Sequence, residues 1–223
     1  NFVTGYKEAI IPDSECTHER RFRPWPKVGD YVGPAYNSSM TTPNPQLKRI
    51  AMIARWKPVH LGQAAVIRGL CAAAESVILG IGSSNRYNAR NPFTLPETEE
   101  MLAIALAGRR NVSVIPVPDL DDGPRWRVMV REMLGELDLF VTDNPYVANL
   151  LKEFYRIERP VAFVPPNERI RVNGTMVREA IARGEDWQSL VPPEIVEYIT
   201  ARKLDERLRR EFGLQILADA VKY

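Results

Sequence analysis

The chain has 223 residues, 45% hydrophobic and 26% charged, enough for one sizeable domain with its own core and an added arm. Thirty Lys and Arg against 28 Asp and Glu leave a formal charge of +2, which argues against a dedicated nucleic-acid binder but leaves room for a local basic pocket. No stretch is apolar for the length a membrane span needs and no secretory apolar region opens the chain, so neither a membrane nor a nucleic-acid partner is expected.

Residues 1–46 are rich in Pro, Gly, Ser and Asn with scattered aromatics, a composition that cannot propagate a helix and has little strand alternation. They read as an extended N-terminal arm packing its aromatics on the domain over 47–223, or as a leader without fixed structure. The two cysteines, Cys16 and Cys71, do not imply a disulfide scaffold, and a reducing cytoplasm is the simpler expectation. Cys16 and His18 offer half of a metal site that no second pair completes.

From Lys48 onward the pattern alternates. RIAMIA (49–54) reads as a strand and LGQAAVIRGLCAAAE (61–75) as a helix. SVILGIG (76–82) is a strand, and ETEEMLAIALAG (97–108) a helix opened by acids and closed by Gly108. VSVIPV (112–117) is a strand, WRVMVREML (126–134) a helix closed by Gly135, DLFVT (138–142) a strand and PYVANLLKEF (145–154) a helix. PVAFV (160–164) predicts a fifth strand, GTMVREAIARG (174–184) a helix stopped by Gly184, and residues 192–213 one long final helix. The strands are continuous apolar runs, as expected when both faces are covered. Strand then helix, about five times over, predicts an α/β fold: a doubly wound, Rossmann-like parallel sheet with helices on both faces. Ligands bind such sheets beyond the carboxyl ends of the strands. Polar clusters lie there, at 55–63, 83–94, 118–126, 143–145 and 167–178.

In the first cluster, ARWKPVHLGQ, a strand is delivered to a helix start. His60 falls where free backbone N–H groups and the helix dipole favour an anion, and Arg55 adds a planar fork suited to phosphate. Gly62 lets a ligand approach closely. In NGTMVR, Gly174 again permits close approach, Thr175 caps a helix or binds phosphate, and Arg178 follows one turn on. Each motif alone also fits an ordinary helix start.

Taken in order, RWKPVHLGQ, GIGSSNRYNARNPFT, NPYV, NGTMVR and GEDWQSLVPPEIVEYI resemble the HxGH-motif nucleotidylyltransferase superfamily, specifically the archaeal-type nicotinamide mononucleotide adenylyltransferases, over about residues 49–202. The resemblance implies in-line attack of a substrate phosphate on the α-phosphate of a nucleoside triphosphate, with release of pyrophosphate. It implies that His60 is the first motif histidine, Arg55 the arginine before it, and Arg178 the arginine near the β- and γ-phosphates. Asn91 matches the asparagine of NPFT, Asn144 that of the family's GNP, and Asp119 and Trp126 positions lining the nicotinamide-nucleotide pocket. The expected nucleotide-binding set is Arg55, His60, Gly62, Asn144, Gly174, Thr175 and Arg178; the acceptor set is Asn91, Asp119 and Trp126. A phosphate nucleophile is already ionised at pH 7, so positioning and charge stabilisation must supply the rate. Mg2+ is expected to ride on the triphosphate, because no acidic cage is visible.

The chain departs from the family pattern. Gln63 replaces the second histidine, Ala54 stands where Gly is usual, Lys57 where Gln is frequent, and Asn173 where a small hydroxyl is usual. Glu97 of the common "ER" is kept but Thr98 takes the arginine's place. Gln63 donates one hydrogen bond but cannot become cationic, a loss of about 1–2 kcal/mol of transition-state stabilisation that the nearby charge of Lys57 is placed to offset. The expected catalytic set is thus Arg55, Lys57, His60, Gln63 and Arg178. The leading reaction is ATP plus nicotinamide mononucleotide giving NAD. The alternatives are a cytidylyltransferase acting on a small phosphonate in secondary metabolism and a nucleotide-binding regulator with weakened chemistry. The donor base and assembly as a homo-oligomer are left open.

Overall fold

The computed structural model describes residues 47–221. Residues 1–46, expected from sequence to form an arm and containing Cys16 and His18, lie outside the described residues. Strands β1 (Leu47–Ala54), β2 (Ala74–Gly82), β3 (Val112–Val117), β4 (Leu139–Val141) and β5 (Ile157–Glu158) form one parallel sheet in the order β3-β2-β1-β4-β5. β1 is central, pairing with β2 from Leu47↔Ala74 to Ala54↔Ile81 and with β4 from Ile50↔Leu139 to Met52↔Val141. The chain winds outward from β1 through β2 to β3, then resumes on the other side with β4. That reversal opens a crevice at the carboxyl ends of β1 and β4.

Alternation along the strands divides the core. Ile50, Met52, Val77, Leu79, Ile81, Leu139 and Val141 share one cluster with buried residues of α1 (Leu61–Ala73), α2 (Leu95–Ala105), α5 (Gly174–Arg183), α6 (Pro193–Ala201) and α7 (Leu204–Ala220). Ala51, Ile78 and Phe140 join the opposite cluster with α3 (Gly123–Leu134) and α4 (Pro145–Leu151). Both faces are covered, which is why the strands read as continuous apolar runs. The helix starts are chemically marked: Thr94 and Glu97 form a reciprocal capping box on α2, and Asp122 caps α3. Glycines in left-handed backbone close α3 and α5 at Gly135 and Gly184.

Three expectations are corrected. The PVAFV segment is a 3-10 turn, Pro160–Phe163, and the fifth strand is the shorter Ile157–Glu158 before it. Pro160 lacks the N–H a ladder needs, and the turn folds down on α1 at Gly69, where a Cβ would collide with the carbonyl of Phe163. The single long final helix is two helices, α6 and α7, broken where Lys203 takes a left-handed φ of 53°. The break buries Leu204 and Leu208 in the main core and carries α7 across α5. α4 also ends at Leu151, three residues before the expected end. No helix among the described residues is long and apolar enough to cross a membrane.

Candidate active site

A cavity of about 1280 Å³ opens beyond the carboxyl ends of β1 and β4. Arg55, Lys57, His60, Gly62, Gln63, Asp119, Trp126, Asn144, Gly174, Thr175 and Arg178 all line it, although they come from four separate connections. Asn91 is buried but is not among the lining residues; its amide donates to Asn88 Oδ1 at 3.1 Å, while its neighbours Ala89 and Arg90 reach the wall.

The geometry begins with Trp56. Its φ is 56°, a conformation that costs a bulky residue about 1–3 kcal/mol. The indole is wholly buried and its Nε1 donates to the carbonyl of Gly80 at 2.8 Å, which holds the turn. Flanking it, Arg55 and Lys57 both reach the cavity. His60 then occupies the N-cap of α1: its Nδ1 accepts from the Gln63 N–H at 3.3 Å, and Gln63 Oε1 accepts from the His60 N–H at 3.4 Å. An accepting Nδ1 assigns the ring proton to Nε2, leaving that N–H as a donor. Burial, then the charge of Arg178, lowers the imidazole to about 4, so at neutral pH it is an uncharged donor. The backbone N–H of position 63 sets the histidine's tautomer, and the Gln63 side chain closes the capping box by accepting from the His60 N–H.

Arg178, on the first turns of α5, is almost fully buried. Its Nη1 donates to the carbonyl of Lys57 and its Nη2 to Thr175 Oγ1, each at 3.1 Å. Burial first, then Arg55 and Arg90, lowers it to about 10, so it stays cationic at neutral pH. A Cβ on Gly174 would lie 2.9 Å from Arg178 Nη1, so glycine there makes room for the guanidinium. The cap of α5 is Asn173, whose side chain accepts from the N–H groups of Thr175 and Met176. Thr175 is thus the partner of Arg178 and not the cap. Asn144 likewise caps α4 from the cavity wall, accepting from Tyr146 and Val147.

Lys57 is 2% exposed, with Nζ donating to the carbonyls of Ser83 at 3.1 Å and Arg86 at 3.5 Å. Burial, then Arg55, lowers it to about 8, against a smaller opposing effect of Asp119. Lys57 is charged below that pH and loses its charge above it. If the charge serves the bound anion, the rate should fall on a basic limb near pH 8, and Lys57→Gln should remove that limb. A rate–pH profile of both proteins checks this, and an identical limb in the variant contradicts it. In the same window, from about 8 up to the ordinary lysine value of 10.5, the unfolded chain holds the proton that the folded chain has lost, so this group makes stability rise with pH.

Asp119 is one of the carboxylates lining the cavity, and it opposes the lowering of both Arg55 and Lys57. Its backbone is tied to the β2 exit by a reciprocal pair: Asn85 Nδ2 donates to the Asp119 carbonyl at 2.9 Å and Asn85 Oδ1 accepts from its N–H at 2.8 Å. Arg90, like Arg169, is a cavity-lining cation that sequence reasoning passed over. It lines the cavity and bears electrostatically on Arg55 and Arg178. Its signal was only its place in the polar cluster after β2. Among the described residues no three His, Cys, Asp or Glu gather to hold a metal ion. Five basic side chains (Arg55, Lys57, Arg90, Arg169 and Arg178), a neutral imidazole donor and a helix N-terminus around one cavity can hold and stabilise a polyanion such as a triphosphate.

No family model matches the chain. Curated relatives do match. The nicotinamide-nucleotide adenylyltransferase of Methanolobus tindarius is 33% identical over 157 residues, covering 69% of this chain and 88% of the relative. That of Methanocorpusculum labreanum is 35% identical over 155 residues, 69% of this chain and 90% of the relative. That of Thermococcus onnurineus is 32% identical over 166 residues, 73% and 87%. Among solved structures, a bifunctional NMN adenylyltransferase/ADP ribose pyrophosphatase from Francisella tularensis, complexed with AMP and a Mn ion, matches with a TM-score of 0.60 at 19% identity over 74% of this chain. This chain spans 52% of that protein's length. A putative nicotinate-nucleotide adenylyltransferase from Vibrio parahaemolyticus matches with a TM-score of 0.52 at 20% identity, over 74% of this chain and 99% of that one. The two solved structures share the fold.

Proposed function

The chain belongs to the nicotinamide-nucleotide adenylyltransferases, and from that membership we propose that it joins ATP and nicotinamide mononucleotide into NAD with release of pyrophosphate. A phosphate oxygen of the mononucleotide attacks the α-phosphorus of ATP, the bond from that phosphorus to the bridging oxygen breaks, and pyrophosphate leaves with the electron pair. The observation that carries the reading is the convergence of Arg55, His60 and Arg178 on one cavity at the switch point of the sheet. The nucleophile is already ionised, so the chain needs no general base. His60 donates through Nε2–H. Arg178, held by Lys57 and Thr175, and Arg55 neutralise the charge that builds on the departing phosphates. The names of the relatives favour neither the cytidylyltransferase nor the regulator reading.

The divalent cation enters as part of the substrate, MgATP, because the described residues offer no carboxylate cage and the triphosphate brings its own oxygens. The Francisella protein is complexed with a Mn ion, and a divalent ion is proposed to accompany the triphosphate here. The same reading gives the protein a role in NAD biosynthesis, and we propose the cytoplasm as its compartment.

Trp126, in the first turn of α3, lines the cavity beside Asp119 and is only partly buried, which suits a platform for a planar pyridine ring. Trp126→Ala should raise the KM for nicotinamide mononucleotide about tenfold, as loss of one aromatic–base stack does, and leave the KM for ATP within about twofold. Initial rates at varied acceptor check this. An unchanged acceptor KM would point to an acceptor without a ring, as a small phosphonate is.

A further inference from the structure

Thr98, where the family commonly carries an arginine, is fully buried, and its hydroxyl donates to the carbonyl of Thr94 at 2.7 Å. It leaves Glu97 without a cation from its own helix. The cation comes from 110 residues further on. Arg207, on α7, forms a two-pronged pair with Glu97: Nη1 donates to Oε1, and Nη2 to Oε2 at 2.7 Å. Arg207 Nη2 also donates to the carbonyl of Pro92 at 3.1 Å. Burial pushes the Glu97 carboxyl up, but the Arg207 fork and the Thr94 N–H outweigh it and hold it below its ordinary value. The fork does not act alone. The Arg207 guanidinium lies 5.7 Å from the centre of the Tyr87 ring, Tyr87 OH donates to Glu211 Oε2 at 2.6 Å, and Tyr87 meets Phe212 edge-on at 5.0 Å. Every one of these contacts ends on the segment from Tyr87 to Glu97. That segment carries Arg90 to the cavity wall, beside Arg55 and Arg178.

We infer that Arg207 is a positioning residue for substrate binding: from α7 it clamps the Tyr87–Glu97 segment so that Arg90 is presented to the substrate phosphates. A lysine would keep the charge but not the planar fork that reaches both carboxylate oxygens and the Pro92 carbonyl. Removing an arginine that serves stability alone would lower the melting point without coupling to Arg90.

The inference rests on the nucleotidylyl-transfer reading, and its test separates the two. The kcat/KM with MgATP and nicotinamide mononucleotide is measured for the full chain, Arg90→Ala, Arg207→Ala and the double variant, with melting curves for each. Each single variant is expected to lose about tenfold or more, and the double variant to lie within about twofold of Arg90→Ala alone, because Arg207 then has nothing left to position. Losses that multiply in the double variant, or an unchanged kcat/KM in Arg207→Ala, overturn the inference. An inactive unmodified chain overturns the functional reading instead. If Arg207→Ala does not fold, the same cycle is run with Arg207→Lys, where a loss of threefold or more that vanishes in the Arg90→Ala background is expected and additive losses are the contrary result.

Discussion

Arg178→Ala is expected to lower kcat/KM by two to three orders of magnitude, about 3–4 kcal/mol, while the protein stays folded. The guanidinium is held from two sides, by the Lys57 carbonyl and by Thr175, so its position is set before substrate arrives. A preset cation loses little on reorganisation as negative charge moves onto the pyrophosphate. The same surroundings predict a mild effect on stability. Truncation leaves the Lys57 carbonyl without its partner, at about 1–3 kcal/mol, but it also removes a buried cation that Arg55 and Arg90 repel. These act in opposite directions, so the melting point should remain near that of the parent. Steady-state kinetics and a melting curve on the same preparation check both halves. Unchanged affinity for the triphosphate would remove Arg178 from the site.

His60→Ala is expected to cost about 2–4 kcal/mol in transition-state stabilisation, through loss of the Nε2–H donor. It also removes the side-chain cap of α1, at about 1 kcal/mol of stability. His60→Asn separates the two roles: asparagine caps well, so stability should recover while turnover does not. Gln63→His keeps a side chain able to bond and adds one able to carry charge, so turnover should hold or rise. If Gln63→His abolished activity while His60→Ala were mild, the roles assigned to the pair would be reversed. The pH behaviour follows from the same contacts. Because the folded imidazole is lowered to about 4 from an ordinary 6.5, acid is taken up first by the unfolded chain. His60 therefore costs no stability above pH 6.5, and stability is lost progressively as pH falls from there toward 4.

Local chemistry made much of this legible from sequence. The β1 apolar run, the His60 helix start and the Gly174 helix start are written in adjacent residues, and they end at one cavity as the ordered motifs implied. What escaped was tertiary. Nothing near Lys203 breaks a helix by propensity; the turn exists because Leu204 and Leu208 bury elsewhere in the core. PVAFV has strand composition, yet close packing of Phe163 on Gly69 and the missing N–H of Pro160 decide against a strand. Gln63 read as a weakened histidine, and only the reciprocal bonds with His60 reveal it as the capping-box partner of that histidine. Arg207 lies in a charge-rich run that looks like any solvated helix face, and its partner Glu97 is 110 residues away.

The most direct test of the proposed reaction is product identification. The full chain is incubated with Mg2+, nicotinamide mononucleotide and either ATP or CTP, and separately with each triphosphate and a small phosphonate, while pyrophosphate is followed and the nucleotide product is identified by mass. The expected result is NAD and pyrophosphate in equal amounts from ATP and nicotinamide mononucleotide, with the yield greatly reduced in Arg178→Ala. Pyrophosphate released only from CTP with the phosphonate, or from no pair at all, would contradict it.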